Sequence, residues 1–228
     1  MDIGIRLRLG WIFARNPGSG DVQVNLPLLV ATRNRGKLKE LRELLRVLPI
    51  VLRSLDDYPG VVEIAETGAT FTENAFLKAT GYATETHLLA IADDSGLEVD
   101  ALGGAPGVFS ARYAGQGAAD AQRVTKLLAA LSDIPTPQLT ARFVCAVAIA
   151  NPEGRILHLS IGKCAGKISF EPRGSAGFGY DPIFIPNGYE RTFAELPAEI
   201  KNQISHRAKA LLSARDFLRT LTAPSSAG

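Results

Sequence analysis

From Leu28 onward, short apolar runs of strand length alternate with segments whose apolar residues recur at helical spacing. That alternation requires helices laid over strands, an α/β architecture. Leu28-Leu29-Val30-Ala31 is the first strand-like run. Past a polar turn, Leu38, Leu41, Leu45 and Leu48 share one helix face until Pro49 stops the run. Thr70 and Glu73 have the spacing of a capping box and open a second helix through Phe76, Ala79 and Tyr82. Leu88 to Ala92 has the apolarity of a buried strand and runs into Asp93-Asp94-Ser95-Gly96, which reads as a turn. Strand-like alternation resumes from Leu97 to Ala101. Ala119 to Leu131 is helical, and Pro135 and Pro137 separate it from a long strand, Ala141 to Ala150. Asn151-Pro152-Glu153-Gly154 supplies hairpin chemistry, with Arg155 to Cys164 as the returning strand. A glycine-rich loop from Gly174 to Gly179 and a loop around Asn187-Gly188 precede a closing helix from Ser205 to Leu221.

Charge and cysteine content narrow the partners. The 25 basic and 23 acidic residues leave a net charge of +2, so no strong field draws the chain to nucleic acid or an anionic membrane. Only Cys145 and Cys164 are present, without disulfide-framework or zinc-site spacing, which suits inert core thiols in a reducing cytoplasm. No apolar run approaches the roughly 20 residues of a membrane span. Before Leu28, Arg6, Arg8 and Arg15 surround a short apolar patch, Trp11-Ile12-Phe13, too brief and too charged for a secretory signal. Asn16-Pro17-Gly18-Ser19-Gly20 then has linker composition.

Four segments carry candidate chemistry. Thr32-Arg33-Asn34-Arg35-Gly36-Lys37 lies between a strand and a helix start, where free N–H groups and the helix dipole favour an anion such as phosphate. Ala31 and Leu38 break the Walker A pattern, and the loop also reads as an ordinary basic helix start. Asp93-Asp94 follow a buried strand, where α/β sheets place their ligand crevice. Alternation along an extended chain turns one carboxylate to the crevice and the other inward. Glu66 and Glu63 can complete an oxygen donor set suited to Mg²⁺; the competing reading is a solvated acidic turn. Gly177 to Asp181 offers close backbone approach and an aromatic face for a base, or simply a glycine bend under a core Phe. Lys201 and Ser205-His206-Arg207 gather donors at the entrance to the last helix, where Ser205 has sufficient reason as an N-cap.

In this order the segments closely resemble the Ham1/ITPase family, whose bacterial members are pyrophosphatases of non-standard purine nucleoside triphosphates. The resemblance runs from Leu28 to Leu221. It covers Ala31 to Lys37, Glu66-Thr67-Gly68, Glu73-Asn74-Ala75, Ala92 to Gly96, Gly103 to Gly107, Ser110-Ala111-Arg112-Tyr113, Gly177 to Pro182 and Ser205-His206-Arg207. It implies an elongated mixed β-sheet in two lobes flanked by helices, with the active site in the cleft between them, and a homodimer. It divides the chain into a disordered N-terminal extension, 1–27, a catalytic domain, 28–222, and a frayed tail, 223–228. By the same resemblance Thr32, Arg33, Asn34, Arg35, Gly36 and Lys37 bind the triphosphate of ITP, dITP or XTP. Asp94 is catalytic base and metal ligand, Glu66 a second Mg²⁺ ligand, and Lys78 and Ser95 contact phosphate. Phe178, Gly179, Tyr180, Asp181, Lys201, His206 and Arg207 contact the base and the rest of the substrate. Position 33 is Arg where many relatives carry a small residue.

A 6-oxopurine presents an O6 acceptor and an N1–H donor, so Arg207 or His206 would donate to O6 while Asp181 or a backbone carbonyl accepts from N1. Adenine reverses both groups and leaves buried polar atoms unpaired. GTP exclusion falls to the C2 side of the pocket. Two other readings stand beside this one: a Maf-like pyrophosphatase of pyrimidine or modified nucleotides, and a non-catalytic nucleotide- or RNA-binding module. Near-neutral charge and 7% aromatic residues disfavour extended nucleic-acid binding. Removal of the residues before Leu26 is expected to leave melting temperature and turnover unchanged, because linker composition precedes the first strand. Thermal denaturation and an activity assay of the truncated protein check this.

Overall fold

Leu89–Val99 form one uninterrupted strand of 11 residues, β3, and the acidic pair lies in its middle. This corrects the reading of Asp93 to Gly96 as a turn. The ladder with β4 (Thr140–Ala150) pairs Asp93 with Val147 and Asp94 with Ala146, so strand pairing satisfies the backbone there. Gly96 serves a close approach instead of a bend. A Cβ there would lie 2.9 Å from the Ser110 Cβ, and the Ser110 hydroxyl accepts the Leu97 N–H at 2.9 Å.

The computed structural model describes residues 26–135 and 139–223. The expected extension up to residue 25, Pro137 and the tail beyond Ala223 lie outside the described residues. Strand β1 is Leu26–Val30, so Leu26 and Pro27 belong to the sheet and not to the extension. The remaining strands are β2 (Ile50–Ser54), β5 (Ile156–Ile168) and β6 (Phe184–Pro186); the helices are α1 (Arg35–Leu45), α2 (Phe71–Thr86), α3 (Asp120–Ala130), α4 (Ala198–Ile204) and α5 (His206–Thr222). The sheet runs β2-β1-β3-β4-β5-β6. It is mixed: β1 is parallel to β2 and β3, and the pairs from β3 to β6 are antiparallel.

Strand β2 was not read from the sequence because it is an edge strand with Val51 and Arg53 exposed and an apolar run of only three residues, Ile50 to Leu52. The three-residue β6 and the short α4 were also missed, and β5 extends past Cys164 to Ile168. The Thr70–Glu73 capping box is present as expected.

Three cores organise the molecule. On one face of the sheet, Leu28, Val30, Ile91 and Val147 pack with Leu41 and Leu45 of α1 and Leu211 and Leu218 of α5. On the other, Ala75, Ala79 and Ala83 of α2 meet Ala90, Ala92, Ala146 and Ala148, small residues that let helix and sheet approach closely. A third core gathers Leu97, Val99, Leu127, Leu131, Phe184 and Phe193 around the far ends of β3 and β4. The long strands thus connect two packed regions, and the cleft opens between them. Register between β1 and β3 ends at Val30 and Ile91, so beyond that point β3 loses its parallel neighbour. The crevice expected outside the carboxyl end of a parallel strand lies there. Among the described residues no helix is long and apolar enough to cross a membrane.

Helix α5 delivers His206 and Arg207 to this crevice only because β5 carries glycine where it crosses. A Cβ on Gly162 would overlap the His206 carbonyl oxygen and come within 2.7 Å of the Ala210 nitrogen, both backbone atoms that cannot rotate away. Gly162→Ala should therefore destabilise the protein by about 1–3 kcal/mol through overpacking. A lowered denaturant midpoint in equilibrium unfolding checks it.

Candidate active site

A cavity of about 1050 Å³ occupies the cleft. Every residue given a role by the family resemblance lines it: Thr32 to Lys37, Glu66, Lys78, Asp94, Ser95, Phe178 to Asp181, Lys201, His206 and Arg207. These residues, up to 175 apart in sequence, meet there because the end of β1, the middle of β3 and the starts of α1 and α5 lie at the same place. Asn34 caps α1 by accepting the Lys37 N–H at 3.1 Å, which fixes the loop, while Arg33 and Arg35 stand exposed at the mouth.

Adjacent positions on β3 send the two carboxylates to opposite faces. Asp93 turns inward, 2% exposed, toward α1 and α5. Its Oδ2 pairs with Lys37 Nζ at 3.0 Å and accepts from Arg207 Nε at 3.2 Å. Burial alone would raise its pKa, but Lys37 and Arg207 overcome that and hold the carboxyl well below the usual range. Asp94 faces the cavity and α2. Its Oδ2 accepts from Asn74 Nδ2 at 3.0 Å, and its Oδ1 accepts the Ser95 N–H at 3.0 Å and lies 3.6 Å from Lys78 Nζ. Here burial prevails over Lys78 and Lys37, Glu66 adds repulsion, and the pKa is raised. Glu66, 2.6 Å from Lys78, is also favoured by burial to rise but is held low by Lys78, Lys37 and Arg112.

Asp94 and Glu66 therefore converge on one ammonium group. Among the described residues no cluster of three or more His, Cys, Asp or Glu side chains is arranged to hold a metal. Mg²⁺ seldom needs one, being commonly bound through one or two carboxylates with waters and substrate phosphates. The pair fits such an ion, since Asp94 and Glu66 offer oxygen donors together on the cavity wall.

Several expected ligand donors are engaged within the protein. Arg207, 2% exposed, donates to Asp93, to Glu40 of α1 and to the Ser95 hydroxyl. The geometry places Lys37 against Asp93, and Lys201 against Asp181 at 2.6 Å and Glu40 at 3.2 Å. Asp181 accepts the Phe178 N–H with the same Oδ2 that meets Lys201, so it is committed to the loop that carries it. Burial nevertheless raises its pKa despite Lys201. The buried Tyr180 side chain donates through its hydroxyl to the Ser110 carbonyl at 3.0 Å. Phe178 is half-buried, with Lys201 Nζ 4.9 Å and the Arg207 guanidinium carbon 5.5 Å from its ring centre. His206 stacks on Phe143 with ring centres 4.6 Å apart, and among the described residues its buried Nδ1 has no partner. Burial, with Arg207 and Lys201, drives its pKa well below the usual value and leaves the ring neutral.

Sequence reading missed Asn74, Glu40, Arg112 and Asp120 as parts of this site. Asn74 and Arg112 sit inside segments noted for the family resemblance, whereas Glu40 looks like an ordinary polar helix residue. Only the approach of α1 to α4 and α5 reveals it.

An acidic strand centre ringed by cations, in a deep cleft of a mixed sheet, defines an α/β protein built to hold a polyanionic ligand. A family model described as the Ham1 family matches residues 28–217. The chain belongs to the Ham1 family. A protein from Desulforamulus reducens named dITP/XTP pyrophosphatase is 51% identical over 196 residues, covering 86% of this chain and 97% of the relative. One of the same name from Geobacter sulfurreducens is 49% identical over 191 residues, covering 84% and 96%. The solved structure of a HAM1 protein from Coxiella burnetii aligns with TM-score 0.79 and 45% identity over 86% of this chain and 99% of that one.

Asp93→Asn would leave the half-buried Lys37 without its carboxylate and the buried Arg207 with Glu40 alone, and a stability loss of about 3–5 kcal/mol is expected at neutral pH. Since the folded-state pKa of Asp93 is depressed, its contribution is complete above the unfolded value near ~4 and fades as pH falls below it. His206, held neutral in the fold, weakens the protein in acid, and because Asp93 is among the charges that favour its protonation the comparison is made in a His206→Gln background. Urea unfolding of that background with and without Asp93→Asn, across acid and neutral pH, should show a gap that narrows as pH drops.

Proposed function

We propose that this protein hydrolyses the non-standard purine nucleoside triphosphates ITP, dITP and XTP to the nucleoside monophosphate and pyrophosphate. The observation that carries the reading is Asp94: a buried carboxylate with a raised pKa, facing a cation-lined cavity beside Glu66. Family membership and the names of the relatives support the same substrate class.

In this reading Thr32 to Lys37 and Lys78 bind the phosphate chain, with exposed Arg33 and Arg35 adding charge at the mouth. Asp94 and Glu66 would hold Mg²⁺, which when bound stabilises the charge on the departing pyrophosphate. Asp94 orients the attacking water and takes its proton. Oδ1 already faces the Ser95 N–H and Lys78, so the lone pair free for the proton is on Oδ2, which Asn74 alone holds. Water oxygen bonds to the α-phosphorus as its bond to the pyrophosphate oxygen breaks, giving the two products.

The base stacks on Phe178 near His206. Because Arg207 is tied to Asp93, Glu40 and Ser95, and Asp181 to Lys201, the neutral imidazole with its unpartnered Nδ1 is the better-placed polar group for the purine edge. Arg207 still keeps N–H donors to spare. Gly179 contributes backbone and Tyr180 support. The reading extends to a cytoplasmic homodimer, as the family resemblance implies; the free, buried thiols of Cys145 and Cys164, pushed up in pKa by burial, suit a reducing compartment.

Pyrophosphate release from a panel of standard, non-standard and pyrimidine triphosphates, with and without Mg²⁺, tests class, cofactor and specificity together. Turnover of ITP, dITP and XTP is expected, and preference for pyrimidine nucleotides would favour the Maf-like alternative. Asp94→Asn should cut kcat at least about a hundredfold, the scale of a lost general base. Its fold should persist: a pKa raised by folding means that the ionised form costs stability as pH rises, a cost the amide removes. Near-normal kcat at saturating Mg²⁺ would remove Asp94 from this role.

A further inference from the structure

Asp120 opens α3 on the rim of the cavity, apart from β3. Its Oδ2 accepts the N–H of Gly179, 59 residues further along the chain, at 2.7 Å. Its Oδ1 pairs with Arg123 Nη2. Arg123 donates through Nη1 to the carbonyls of Ala111 at 2.9 Å and Ala118 at 2.6 Å, so the orientation of the pair is fixed from a separate wall of the cleft. One residue before Gly179, the Phe178 N–H is held by Asp181 at 2.8 Å. Two successive amides of the glycine-rich loop are thus gripped by carboxylates from different parts of the chain.

The side chain between these grips is Phe178. Its ring lies over the phosphate-side loop, where a Cβ on Gly36 would come within 2.7 Å of it. Gly177 and Gly179 flank it at φ +78° and +63°, in the left-handed region where glycine has no steric preference to hold one shape. Local sterics therefore do not fix the ring; the amide contacts do. The Gly179 contact is the one that ties the loop to α3.

We infer that Asp120, oriented by Arg123, is a positioning residue that fixes Phe178 for stacking against the nucleobase. It sets affinity for the nucleotide and leaves the chemistry at phosphorus to Asp94. This rests on the reading of the cleft as a purine nucleoside triphosphate site. A hydrogen bond to a charged group is strong enough that losing it should raise KM about tenfold or more.

The test compares wild type, Asp120→Ala and Asp120→Asn for KM and kcat with ITP, and for competitive inhibition by inorganic tripolyphosphate, which has no base. Asp120→Ala should raise KM about tenfold while kcat changes less than about threefold and tripolyphosphate inhibition stays at the wild-type level. Asp120→Asn keeps an acceptor oxygen for Gly179 and should fall between the other two; it also carries the test if the alanine variant does not fold. Wild-type KM in both variants overturns the proposal. So does weakened tripolyphosphate inhibition in step with KM, which would mark general damage to the site. A wild-type protein that releases no pyrophosphate from ITP, dITP or XTP overturns the functional reading itself, in an arm that needs no variant.

Discussion

The buried charge of Asp93 is the constraint around which the site is arranged. A carboxylate in mid-sheet, shut away from solvent, is tolerable only with cations brought to it. Lys37 comes from α1 and Arg207 from α5. Arg207 also reaches Glu40, which in turn receives Lys201 from α4. One desolvated charge therefore ties the central strand to three helices, and those helices carry the phosphate-side loop and the base-side residues. If that network shifted, both halves of the cleft would move with it.

The neighbouring carboxylate shows how little separates a structural group from a reactive one. Asp93 and Asp94 share a strand and nearly the same degree of burial, yet the pKa of one is depressed and the other raised. The cause is the face each occupies. Asp93 meets two cations at hydrogen-bonding distance, whereas Asp94 meets an amide and a lysine 3.6 Å away that is closer to Glu66. Incomplete compensation is what leaves Asp94 able to recruit a cation or a proton.

Much of this was legible in the residues. The helical leucines of α1, the Thr70–Glu73 capping box and the apolar run before Asp93 all appear as elements in the structure. The strand through Asp93 to Gly96 was not legible, because adjacent acids followed by Ser-Gly carry turn chemistry locally, and only the β4 ladder with the cations of α1 and α5 overrides it. Edge strand β2 was hidden for the opposite reason, having too little buried surface to impose a pattern. Tyr180 and Asp181 were expected as ligand contacts from the family resemblance. Both line the cavity, and their hydrogen bonds to Ser110, Lys201 and the Phe178 amide also brace the glycine-rich loop.

The sequence by itself determined the α/β alternation, the family and many of the residues that line the cleft, because periodicity and short motifs are local properties of the chain. Which group each of those residues touches was decided by tertiary structure alone. Charge pairing and hydrogen bonding act over a few ångströms between positions far apart in sequence, as between Asp93 and Arg207 or Asp120 and the Gly179 amide. No local pattern encodes whether a lysine near a carboxylate will be its partner or remain free for a substrate. That outcome depends on where β1 ends, on how closely α5 approaches β5 over Gly162, and on which side of β3 each side chain falls.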